Sequence, residues 1–314
     1  MKKKLVAGAV TLLSVVTLAA CANGTNKDVV TMKGDAISVS DFYDEIKTNQ
    51  GAQQVLFQMT INKVFEKEYG SKVSDKEVDK ELAKQKKQLG KQFDAYLAQQ
   101  GLTEETAKKQ IRSNMLLEYA VNQAAKKDIK ESDYKAAFES YTPEVTAQII
   151  KLDSEDKAKE VLEAAKAEGA DFAQIAKDNS TDTATKDKGG EVKFDSGTAD
   201  IPSQVKEAAF KLDENGISDV ITVSAGQNYS ASYYIVKLNK KTEKGSDWKK
   251  YEKRLKEIIV DGRKQDTNYI RSIIAKAMTN ANIKVKDDAF KSTFNQYLQN
   301  IGVETSNSNS SSKK

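Results

Sequence analysis

Val145-Thr146-Ala147-Gln148-Ile149-Ile150-Lys151-Leu152 is the stretch on which the fold turns. It is short, apolar and rich in β-branched residues, and it reads as a strand. Beyond it the period changes. Ala158, Val161, Leu162 and Ala165 fall at i, i+3, i+4 and i+7, one face of a helix that ends at Gly169. Asp171 and Gln174 then read as a capping box opening a second, short helix. Residues 217–223 and 232–238 read as two more strands. Residues 145–241 therefore form an α+β domain with an antiparallel or mixed sheet, inserted into a chain whose flanks follow a different pattern.

Those flanks are helical. Upstream, residues 29–39 read as a small hairpin around Lys33-Gly34-Asp35, and Ser40-Asp41 reads as the cap of a first helix. A second helix covers residues 55–69, between Gly51 and Gly70. Ser74-Asp75-Lys76-Glu77 is a capping box, and only Val78, Leu82 and Leu89 are apolar in the helix it opens. Such a helix is expected to be mostly solvated and to project. Thr103 caps a long helix carrying Ala107, Ile111, Met115 and Tyr119 at near-helical spacing. Downstream of Asp247, Trp248, Tyr251, Leu255, Ile258, Ile270, Ile273 and Ala277 form an apolar stripe that needs a partner. The N-terminal helices are the expected partner, which predicts one helical domain assembled from both chain ends. Ala281-Asn282-Ile283-Lys284-Val285 reads as a short strand, and residues 287–298 as a helix. The Ser-, Asn- and Lys-rich residues 303–314 have too little apolar content to fold.

Composition excludes several chemistries. The chain has no histidine and a single cysteine, so His-based triads, Cys-His pairs and zinc sites of the usual ligands are ruled out, as is an internal disulfide. The start has the form of a secretory signal: Lys2, Lys3 and Lys4, a short apolar run over residues 5–20, then Thr17-Leu18-Ala19-Ala20-Cys21. Removing the three lysines takes the basic residues from 50 to 47, against 46 acidic ones. A chain so nearly neutral has no electrostatic case for nucleic acid. No cofactor and no metal are expected.

The ending Leu18-Ala19-Ala20-Cys21 resembles the bacterial lipobox, which implies lipid attachment at Cys21 and residence on the outer face of the cell membrane of a Gram-positive-type bacterium. The inserted segment resembles the parvulin family of peptidyl-prolyl isomerases. Gly169-Ala170-Asp171-Phe172-Ala173-Gln174-Ile175-Ala176, Asn179-Ser180-Thr181-Asp182, Gly189-Gly190-Glu191, Ala208-Ala209-Phe210-Lys211-Leu212 and Ile217-Ser218-Asp219-Val220 carry the likeness. With the helical flanks and the lipobox, the whole chain resembles PrsA-type foldase lipoproteins, in their streptococcal or lactococcal maturation form. That resemblance implies a signal peptide over 1–20, a chaperone domain built from 21–142 and 242–302, a parvulin-like domain over 143–241 and a disordered tail over 303–314.

The site implied by the resemblance is altered. Active parvulins carry facing histidines on the first and last strands, and here those positions hold Gln148 and Tyr234. The acidic or thiol position near them is Asp182. The proline pocket, normally a methionine and a phenylalanine, reads Ile201 and Val205; Phe210 is kept, and serves equally as core or pocket wall. Rotation about an X-Pro bond needs no nucleophile. Gln148, Asp182 and Tyr234 are accordingly expected to form a polar cluster, catalytic or merely structural. The resemblance implies a foldase of secreted proteins with holdase action dominant, whose partners are unfolded or partly folded secreted chains and, through the lipid, the membrane. A homodimer is admitted as well. The rival readings are a solute-binding lipoprotein, which calls for two α/β lobes, and an adhesin-type surface lipoprotein, which needs no parvulin pattern.

Overall fold

The computed structural model describes residues 27–225 and 230–298. Cys21, the segment before it and residues 303–314 lie outside them. The elements in chain order are β1 (Asp28–Met32), β2 (Asp35–Ser38), α1 (Val39–Ile46), α2 (Gln50–Tyr69), α3 (Asp75–Leu89), α4 (Phe93–Gln99), α5 (Glu104–Lys127), α6 (Glu131–Ser140), β3 (Val145–Leu152), α7 (Glu155–Lys166), α8 (Phe172–Asn179), β4 (Glu191–Phe194), α9 (Ser203–Lys211), β5 (Ile221–Ala225), β6 (Ser230–Lys241), α10 (Glu252–Gln265), α11 (Thr267–Asn280) and α12 (Lys291–Leu298). They fall into two compact units, Met1–Val64 with Ala275–Lys314, and Phe65–Ile274. No described helix is long and apolar enough to cross a membrane.

The larger unit contains the inserted domain. Its sheet is wholly antiparallel, in the order β4-β3-β6-β5. β3 is central and apolar on both faces, because both faces are covered. Val145, Ala147 and Ile149 join Val205, Ala209, Val236 and Leu238 in one core under α9. Ile150 and Leu152 join Ala158, Val161, Phe172 and Ile235 in a second core under α7 and α8. The fold is α+β.

The helical part of this unit packs α10 onto α5 and α6. Arg263 ties the three together: its guanidinium donates to the Ala125 carbonyl near the end of α5 (2.9 Å) and to Asp133 in the first turn of α6 (2.8 Å). Tyr134 of α6 stacks on Trp248, ring centroids 5.0 Å apart. Arg112 grips Glu66 with two hydrogen bonds of 2.9 Å and also donates to the Gly70 and Val73 carbonyls, fixing the turn before α3.

In the smaller unit, β1 and β2 form the expected hairpin. Phe57 of α2 meets Phe294 and Tyr297 of α12 at 5.5 and 4.5 Å between centroids. Tyr43 donates to Asp287 (2.8 Å) and Gln53 to the Ala289 carbonyl (3.0 Å).

Several readings of the sequence change. The cap of α1 is Ser38, which exchanges hydrogen bonds with Asp41, and not Ser40. α2 starts at Gln50, so Gly51 is absorbed rather than interrupting. α3 does not project free: Val78 and Leu82 are buried, and its charged face ion-pairs with α5 through Asp79–Lys108 and Lys86–Glu104. Asp171 caps α8 through the Ala173 and Gln174 amides, but the Gln174 side chain turns to Asp178, so the box is not reciprocal. Strand β5 starts at Ile221, Ile217 making only an isolated bridge to Lys237. Residues 281–285 are not a strand; Asn282 takes a left-handed φ of 52° and ends α11 instead. The long downstream stripe is two helices, because the chain breaks at Asp266, whose carboxylate caps α11.

Candidate functional site

The motif Gly189-Gly190-Glu191 is explained by β3. Both glycines have positive φ, 68° and 77°. A Cβ on Gly190 would sit 2.5 Å from the Ile149 carbonyl oxygen, and the Ile149 amide donates to Gly190 at 2.8 Å. Two backbones meet there, and only glycine leaves room. The turn brings the Gly189 carbonyl over β3, where Gln148 donates to it through Nε2 at 3.0 Å.

Asp182 lies on the loop after α8. Ser180, 2% exposed, anchors that loop by accepting from the Lys151 and Asp182 amides. The Asp182 carboxylate is then used locally, accepting from Thr185 Oγ1 at 2.6 Å and from the Ala184 amide at 3.1 Å. It shapes the loop leading to Gly189.

Tyr234, on β6, pairs with Lys151 on one side and Ile221 on the other. Side chains alternate along a strand, and directly paired antiparallel residues share a face. Gln148 therefore lies on the face of Ile150 and Leu152, while Tyr234 lies on that of Ala147 and Ile149, half-buried against the core containing Val205. The polar cluster expected of Gln148, Asp182 and Tyr234 is not formed. Each is committed elsewhere, and the sheet stands between the first and the last.

The expected proline pocket is also rearranged. Val205 is fully buried and belongs to the core rather than to a wall. Ile201, Phe210 and Tyr234 are half-buried over that same core, with Val192, Ile221 and Val223 beside them. Phe210 leans on the buried Phe194, centroids 5.8 Å apart. These side chains thus pack onto a core in which Val205 is fully buried.

Comparison with known proteins places these features. The PPIC-type PPIase (rotamase) domain family matches residues 141–240. The foldase protein PrsA of Streptococcus sanguinis is 61% identical over 96% of this chain and 90% of its own length. That of Streptococcus gordonii is 59% identical over the full length of both. The crystal structure of the PrsA foldase of Streptococcus pneumoniae superposes with a TM-score of 0.78 at 54% identity, covering 86% of this chain and 99% of the other. The Lactococcus lactis foldase structure gives 0.65 at 38% identity, over 87% and 99%.

The chain belongs to the PrsA foldase family.

A PrsA chain must hold its isomerase-type domain on its helical part, and here that junction is an ion pair on a buried carboxylate, which the sequence did not disclose. Asp195, 6% exposed, follows β4 and accepts from Arg254 of α10 through both oxygens, at 2.6 and 2.9 Å. Tyr141, in the linker after α6, donates to the same carboxylate at 3.1 Å, and Thr198 and the Gly197 amide donate at 3.0 Å each. Burial alone would raise the Asp195 pKa; the Arg254 hydrogen bonds and charge, with Thr198 and Tyr141, outweigh it and hold the carboxyl below its ordinary range. Burial first, then the charge of Asp195, pushes the Tyr141 hydroxyl above its ordinary pKa. Arg254 is raised, chiefly by its hydrogen bond to Asp195. No local pattern announces this pair, because its members are 59 residues apart.

Proposed function

We propose that this chain is an extracytoplasmic foldase, anchored by lipid at Cys21 to the outer face of the membrane, in which chain-holding outweighs prolyl isomerisation. One observation carries the reading: Gln148 and Tyr234, at the two positions the parvulin resemblance assigns to histidine, lie on opposite faces of the sheet, with the Gln148 amide spent on Gly189. An isomerase lowers a barrier of about 18–20 kcal/mol by gripping the proline ring and weakening amide resonance. Half-buried Ile201, Phe210 and Tyr234, packed on a core with a fully buried Val205, support weak apolar contact with a passing chain better than a grip on one ring.

The proposed organisation follows the same division of labour: a helical chaperone part from residues 21–142 and 242–302, and a parvulin-like domain over 143–241. The clients are secreted proteins that are not yet folded, bound through many weak contacts along helical and sheet faces. Val145 and Lys241 are paired across β3 and β6, so the domain enters and leaves at one place. Residues 143–241 are therefore removable by joining Thr142 to Thr242. The test is aggregation suppression of a chemically unfolded secreted protein by the full chain and by this deletion, checked for helix by circular dichroism. The deletion is expected to keep most of the suppression. A folded deletion protein without it refutes the reading.

A further inference from the structure

Among the described residues, exposed large apolar side chains are concentrated in one stretch of the chain. Nine of the ten that stand out lie between residues 29 and 59, among them Val30, Met32, Ile37, Phe42, Val55 and Met59, and the tenth is Tyr96. Val30 and Ile37 are cross-strand partners, so they share a face of the β1–β2 hairpin. Val55 and Met59, 59% and 51% exposed, are one helical turn apart on α2. Charges of both signs are interspersed among them, Lys27, Lys33 and Lys47 with Asp28, Asp35, Asp41, Asp44 and Glu45, so apolar contact and not charge is what the stretch offers. So many exposed large apolar side chains in one stretch call for a partner.

The chain itself says what is near. Only residues 22–26 separate Cys21 from Lys27, so a fully stretched linker reaches about 20 Å. With Cys21 in the bilayer, the apolar hairpin is kept within about 20 Å of the headgroups, where exposed aromatic and aliphatic side chains are favoured. We infer that the surface presented by residues 29–59 docks on the phospholipid interface beside the anchor. The surface adds a protein contact to the lipid one and fixes which face of the smaller unit meets the membrane. The inference rests on lipid attachment at Cys21, and its test is arranged not to depend on it.

The test uses the mature chain with Cys21→Ser, which leaves no other thiol, attached through an N-terminal histidine tag to vesicles bearing a nickel-chelating lipid. An environment-sensitive fluorophore is placed at Val30→Cys, at Met59→Cys or, as a control in the parvulin-like domain, at Glu207→Cys. Expected are a blue-shifted emission and quenching by nitroxide-labelled lipid at positions 30 and 59 and neither at 207, with both lost on adding Phe42→Asp and Val55→Asp. Aqueous emission at 30 and 59 on the vesicle overturns the inference. So does a blue shift already present without vesicles in a chain that sediments as a dimer, which assigns the surface to a second copy. Mass analysis of the N-terminal peptide of the native lipoprotein tests the lipid on Cys21 separately.

Discussion

Replacing Arg254 by methionine removes a charge from the Asp195 junction while keeping most of the side-chain stem. The carboxylate left behind is 6% exposed and keeps only Tyr141, Thr198 and the Gly197 amide as donors. Removing one partner of a buried pair costs about 3–5 kcal/mol. Because the Arg254 side chain is itself 34% exposed, water can reach the vacated position, and the lower end, about 3 kcal/mol, is expected. Trp248, the only tryptophan, stacks on Tyr134 four residues ahead of α10 and reports the junction directly by fluorescence in denaturant titration. The sign of the pH dependence should reverse. In the native protein the Asp195 pKa is lowered, so its contribution is present above the ordinary carboxylate range and lost as pH falls through the lowered folded value. Without Arg254, burial dominates and raises that pKa, so the variant regains stability as pH falls from neutral toward about 4. Adding Asp195→Asn should recover part of the loss. A loss below about 1 kcal/mol, the size of an exposed pair, or additive single and double variants, would refute the reasoning.

Three shorter predictions accompany it. Gly197→Ala places a methyl against the Ile258 side chain of α10 and should cost about 1–3 kcal/mol by overpacking, read from the Trp248 transition; an unchanged midpoint would mean the junction is loose. Gly190→Ala, facing both a φ of 77° and the Ile149 carbonyl, should destabilise the sheet and release Gln148 from the adjoining turn, visible as faster amide exchange at Ile149; unchanged protection there counts against the account. Cys21→Ala should abolish fatty-acid labelling and leave precursor or shed protein, and a variant still labelled would remove the anchor from the account.

Much of the fold was legible because local rules set it. β3 is apolar on both faces since it is central, and Ser74, Thr103 and Asp171 cap helices as their spacing implies. What the sequence hid depends on long-range partners. β4 is four residues long, with only Phe194 fully buried, so it carries little periodicity, and its pairing with β3 shows only once Gly190 is seen against Ile149. The shortfall at residues 281–285 has the same cause: apolar alternation suggests a strand, but among the described residues no strand pairs with it. At the candidate site, the resemblance supplied the positions but not their faces. Gln148 and Tyr234 belong to different strands, and only the β3–β6 register puts them on opposite sides of the sheet. Val205 reads equally as pocket or core until its burial is known.

The foldase is proposed to hold chains more than it isomerises X-Pro bonds. The most direct measurement of this is kcat/KM for cis–trans isomerisation of a short X-Pro peptide by the native chain and by Asp182→Ala. Since Asp182 bonds only within its own loop, to Ser180, Ala184, Thr185 and Lys186, the account predicts activity barely above the uncatalysed rate and the same in both. Strong native activity that disappears in Asp182→Ala, with the variant still folded, would contradict it.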